Sequence, residues 1–63
     1  MTAFQNIDTE VLKKMGAGIA DLRKAAESLE QNSADFPAVH RNVKRILASV
    51  KMLEINVSEV LDL

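Results

Sequence analysis

Eight apolar residues in the second half of the chain, Phe36, Val39, Val43, Ile46, Val50, Leu53, Val57 and Val60, follow one another at steps of 3, 4, 3, 4, 3, 4 and 3. Steps that alternate in this way return to one face of an α-helix, and the seven-residue repeat they build is that of a supercoiling seam. Val, Ile and Phe favour strands by propensity, but a half-buried strand needs strict alternation, which is absent here. The spacing predicts a helix over about 36–61, with Asp35 as its N-cap and Pro37 in its first turn, where a missing N–H is tolerated.

The first half repeats the pattern more loosely through Leu12, Met15, Ile19, Leu22, Ala26 and Leu29. Phe4, Ile7 and Val11 extend an apolar stripe upstream with the period of a straight helix. Two start signals compete. Thr2 with Gln5 has the form of a capping box, and Asp8 or Thr9 offers a later cap. The early start predicts a helix over about 3–31. Between the helices, "QNSAD" is polar and short, which predicts a turn over 32–35 and antiparallel neighbours. The expected fold is therefore all-α, a two-helix antiparallel hairpin forming one domain over 1–63. Folding about that turn sets Leu29 near Phe36, Leu22 near Val43, Met15 near Val50 and Leu12 near Leu53, with Ile7 and Phe4 reaching Val57 and Leu61. The expected hairpin core is Leu22, Phe36, Val43, Ile46, Val50 and Leu53.

One seam does not use all of the apolar surface. Leu47 and Leu61 flank it, and Ala48, Met52 and Ile55 lie further round. Chains this short usually need a staple or a partner. With no Cys and one His, there is no disulfide framework and little basis for a structural zinc site. The expected remedy is a second copy, giving a dimeric four-helix bundle by the commonest oligomer symmetry. Gly16 and Gly18 bear on this, because a glycine inside a helix costs about 1 kcal/mol relative to Ala. Gly18 and Ala25 would make a smooth strip that another backbone can approach closely. A kink is the alternative, and a phosphate loop is excluded because no strand precedes the glycines. Gly18, Ala25, Leu47 and Met52 are the candidate residues of a second interface.

Composition narrows the rest. Hydrophobic residues make up 48% and aromatics 3%, which predicts an aliphatic core. A net charge of −1 and a pI near 5.7 give no global field to attract nucleic acid. Two Phe without Trp or Tyr leave little for base stacking. The start "MTAFQNIDTE" lacks the pattern of a secretory leader, and no apolar run approaches the ~18 residues of a membrane span. The expected location is cytoplasmic, away from membranes.

Few residues carry candidate chemistry. His40, in "AVHRNVKRIL", has no acid or second His within four residues on its C-terminal side to complete a metal pair. The segment resembles the H-R-x-K stretch of sensor-kinase dimerisation helices, displaced by one residue and on the second helix instead of the first. That resemblance implies phosphotransfer, whereas a position beside the seam implies a packed or rim histidine. The terminal "SEVLD" resembles, at three of its five positions, the Ser-x-x-Leu-Asp signature of helical-hairpin phosphatases that act on sporulation response regulators. It lies at the end of the sequence instead of inside a helix with more chain following.

Charge is distributed unevenly. Arg41, Lys44, Arg45 and Lys51 precede Glu54, Glu59 and Asp62, the reverse of what the helix macrodipole favours. Glu27 and Glu30 could neutralise Arg41 across the hairpin, or the acidic end of one copy could lie against the basic half of another. The third account is a candidate anion-binding stripe, Arg41, Lys44, Arg45 and Lys51. In length and hairpin architecture alone the chain resembles the Rop family of plasmid regulators, which implies RNA binding. No nucleophile–base pair, carboxylate pair or metal cluster can be assembled. The expectation is a non-catalytic interaction or regulatory adaptor acting through self-association, with no catalytic residue, cofactor or metal. Its alternatives are an obligate small subunit of a hetero-complex, chaperone- or antitoxin-like and bound to another helical protein, and a nucleic-acid-binding hairpin that uses the basic stripe.

Overall fold

A computed structural model describes residues 9–61. They form two helices, α1 (Thr9–Asn32) and α2 (Pro37–Leu61), packed along each other as an antiparallel hairpin. The expected early start, with Thr2, Phe4, Gln5 and Ile7, lies outside the described residues. α1 runs without interruption through Gly16 and Gly18, neither of which has a positive φ.

The turn is built by three residues acting together. The Phe36 N–H donates to Ser33 O at 2.9 Å, closing a four-residue turn, and Phe36 O accepts the first helical bond from His40 N–H at 2.9 Å. Phe36 is thus the N-cap of α2 and Pro37 its first helical residue, not Asp35 as the cap. The reason is steric. A proline keeps the residue before it out of the α region, and its own fixed φ suits the first helical position. Ser33 is 3% exposed, and its N–H and hydroxyl both donate to Glu30 O, at 3.4 and 3.2 Å. Its Oγ also lies 3.2 Å from His40 Nδ1. When the hydroxyl proton is directed to Glu30 O, a protonated Nδ1 donates to Oγ. His40 therefore ties the start of α2 to the carbonyl end of α1.

The helices meet along a narrow seam. Ala26, Ser33, Val43 and Val50 are 2%, 3%, 3% and 1% exposed. Beside them, Leu12, Gly16, Ile19, Arg23 and Glu30 of α1 and His40, Leu47, Glu54 and Val57 of α2 are half-buried. This is still an alternation of three and four, but rotated by one column. Val43, Val50 and Val57 remain inside, while the line through Val39, Ile46 and Leu53 turns outward. Leu22, Phe36, Ile46 and Leu53, expected in the core, are 43%, 62%, 42% and 41% exposed.

The pairing of levels also differs from expectation. Leu12 and Gly16 share a hollow with Val57, and Arg23 reaches Glu54. α1 continues to Asn32 and Pro37 holds Phe36 out of α2, which moves the fold point toward the C-terminus. Leu22 then stands near the level of Ile46, not Val43, and Met15 near Leu53, not Val50.

Because Val50 is the most completely buried side chain of the seam, a charge there has no partner and no water. Val50→Asp is expected to abolish the helical circular-dichroism signal under conditions where the parent chain is folded. A variant that melts like the parent would contradict the seam.

Candidate interaction surface

The columns that turn outward form one continuous face. On α1, Val11, Met15, Gly18, Leu22, Ala25 and Leu29 follow the 3/4 alternation next to the seam. On α2, Val39, Ile46 and Leu53 do the same, with Asn42, Ser49 and Asn56 beside them. Both helices are right-handed and they run in opposite directions, so residues three ahead of each seam line fall on the same side of the hairpin. Val11, Met15, Leu22, Leu29, Val39, Ile46 and Leu53 are each 41–50% exposed there, and Phe36 is 62% exposed at the turn end. The chain is 27% charged, yet among the described residues no Asp, Glu, Lys or Arg occupies this face.

The area is large for so small a protein. These eight side chains leave on the order of 600 Å² of apolar surface in water, the upper limit for the largest patch on a typical monomer. That is about three-quarters of the ~800 Å² that each partner contributes to a standard interface, before the Asn and Ser side chains of the face are added.

The glycines add a second observation. A Cβ built at Gly16 or Gly18 meets no atom within 4 Å. Gly16 borders the hollow of about 330 Å³ that it shares with Thr9, Leu12, Lys13 and Val57 at the seam. Gly18 lies exposed on the uncharged face with Ala25, and nothing within the hairpin requires it to lack a side chain. Leu47 and Met52 are not on this face. Leu47 is half-buried in the hairpin seam, and Met52, 57% exposed, lies about 100° round α2 from the Ile46–Leu53 line.

The opposite face is polar. The Arg23 guanidinium donates from Nε to Glu54 Oε2 at 2.6 Å and from Nη2 to Glu54 Oε1 at 2.8 Å, a two-pronged clamp between the helices. Side chains on a helix lean toward its N-terminus, so in an antiparallel pair these two lean toward each other. Nη1 also reaches Glu27 at 3.4 Å, so Glu27 pairs within α1 and not with Arg41. The hydrogen bonds from Arg23 hold the Glu54 carboxyl below its ordinary value, with desolvation opposing and the charges of Arg23 and Lys51 adding to the effect. Arg23 is in turn held further into its charged form, chiefly by Glu54. Sequence reasoning missed this clamp, although both residues follow a seam residue by four, Ile19 and Val50.

The basic residues lie in one exposed band about 100° wide: Lys44 and Lys51 share one line on the polar face, Arg41 is about 60° further round, and Arg45 about 40° beyond it on the outer flank of α2. His40 is engaged in the turn. Among the described residues no three acidic or histidine side chains gather as a metal site, and no helix is long and apolar enough to cross a membrane. Asp62 of the "SEVLD" segment lies outside the described residues.

The clamp has a pH signature. Because Glu54's carboxyl is depressed in the folded chain, its stabilisation is complete above the ordinary glutamate value and is lost as pH falls through the depressed one. Parent and Glu54→Gln melting temperatures are expected to differ at pH 7 and to converge as pH drops below the ordinary carboxylate range. A constant difference would mean that Glu54 is not held by Arg23. No known protein family, curated protein or solved structure matches this chain.

Proposed function

We propose that this chain is a non-catalytic protein-interaction module, an adaptor or regulator whose working form is a homodimeric four-helix bundle. The observation that supports it is the uncharged apolar face running the length of both helices, with an area approaching that of one standard interface. A second copy supplies an identical face of matching length and composition, and C2 symmetry needs no other partner. Burying that face covers the second apolar column of each helix, since core-facing helices of a bundle bury more than one seam's width. The polar faces, carrying Arg23, Glu54, Lys44 and Lys51, then point outward on both sides of the bundle, where they are open to further proteins.

Two isoleucines of nearly equal exposure separate this reading from simple surface hydrophobicity. Ile46 is 42% exposed on the uncharged face, and Ile55 is 41% exposed on the polar side of α2. Ile46→Asp is expected to weaken self-association at least a hundredfold in sedimentation equilibrium, because it buries an unpaired charge in each copy. Ile55→Asp is expected to leave association within a few-fold of the parent. Equal effects of the two variants, or a parent chain that stays monomeric at tens of micromolar, would overturn the reading.

A further inference from the structure

Resting on the self-association reading, a further question is how the second copy sits. Two symmetric arrangements cover the uncharged face with itself. In the first, the dyad runs along the helices, both turns lie at the same end, and α1 of each copy lies on α2 of the other. In the second, the dyad crosses the helices, the turns lie at opposite ends, and like helices meet. Neighbouring helices are antiparallel in both, so helix direction does not decide between them.

Apolar layers and flanking charges do decide. Within the hairpin, Met15 is near the level of Leu53, Leu22 near Ile46 and Leu29 near Val39. With both turns at one end, the second copy brings the same residues to the same levels, and each layer becomes a square of four apolar side chains. The two Phe36 rings, 62% exposed at the turn, then close one end of the core together.

The flanks of the face carry Lys14, Asp21 and Ser28 on α1 and Ala38, Arg45, Met52 and Glu59 on α2, each about 100° outward from the apolar line. Among the described residues, Lys14, Asp21, Arg45 and Glu59 make no ion pair within the hairpin. In the same-end arrangement the α1 flank of one copy lies beside the α2 flank of the other. Lys14 then faces the partner's Glu59 at the relative level of Ser33 and His40, which touch within the hairpin. Asp21 lies within about one turn of the partner's Arg45. In the opposite-end arrangement, centring the apolar layers on Leu22 and Ile46 sets Asp21 against its own copy and Arg45 against its own copy. Sliding by a heptad to separate those like charges leaves part of the face without a described partner, Leu29 and Phe36 in one direction and Met15 and Leu53 in the other.

The geometry points to a homodimer with both turns at one end, α1 of each copy against α2 of the other, and Lys14–Glu59 and Asp21–Arg45 pairs along the flanks. A single spin label reports it. The chain has no cysteine, and Ala34 is exposed in the turn, so Ala34→Cys gives one labelled site per copy. Pulsed electron–electron resonance is expected to show a distance below about 25 Å, because the turns lie one helix spacing of about 8–10 Å apart plus the label arms. Opposite-end packing places them more than about 35 Å apart, the length of α2.

A dimer with the long distance overturns the arrangement and leaves self-association standing. A monomer by sedimentation overturns both. In parallel, Lys14→Glu and Glu59→Lys are each expected to weaken the dimer about three- to tenfold, and the double reversal to restore it. Singles that leave affinity unchanged, or a double that fails to restore it, would count against the flank pairing.

Discussion

Each helix of this protein carries two adjacent apolar columns, Leu12–Ile19–Ala26 and Met15–Leu22–Leu29 on α1, Val43–Val50–Val57 and Val39–Ile46–Leu53 on α2, and a hairpin seam buries only one of each pair. That mismatch governs the rest of the structure. The valine column of α2, through Val43 and Val50, sits at the centre and is buried whichever neighbour is chosen. On one side of it, His40, Leu47 and Glu54 share the hairpin seam. The other is left in water as a face of 41–50% exposed side chains.

Directed polar contacts line the side on which the hairpin closes. Ser33 and His40 join at one end of the seam, and Arg23 and Glu54 clamp it further along. All four lie in or beside the same seam, on the side away from Leu22 and Ile46. Their hydrogen bonds need the two backbones close together, which the small Ala26 opposite valines permits. A hairpin closed through the bulkier Leu22–Ile46 column would separate Arg23 from Glu54 and leave Ser33 without its histidine. Apolar burial and directed polar contacts thus coincide on the closed side of the hairpin.

The same arrangement also explains what could be read from the residues in advance. The repeat from Phe36 to Val60 made α2 visible, and the polar "QNSAD" segment made the antiparallel turn visible. Apolar spacing alone places the seam one column away, because it gives equal weight to Leu53 and Leu47, whereas the structure turns Leu47 inward and leaves Leu53 41% exposed. Side-chain preference alone favours Asp35 as the N-cap, while the backbone restriction imposed by Pro37 is the stronger constraint and makes it Phe36. Gly18 and Ala25 lie on the uncharged face and Met52 on a flank. The basic residues Arg41, Lys44, Arg45 and Lys51 are all exposed, in a band a little over a quarter of the helix circumference wide.

The central claim is that the hairpin buries one column of each helix in itself and the other against a second copy. Circular-dichroism melting over a hundredfold dilution series, with sedimentation equilibrium at the same concentrations, tests it most directly. A dimer linked to folding loses stability on dilution by mass action, so the melting temperature is predicted to fall steadily as the chain is diluted. A well-folded monomer with a melting temperature independent of concentration would contradict the account.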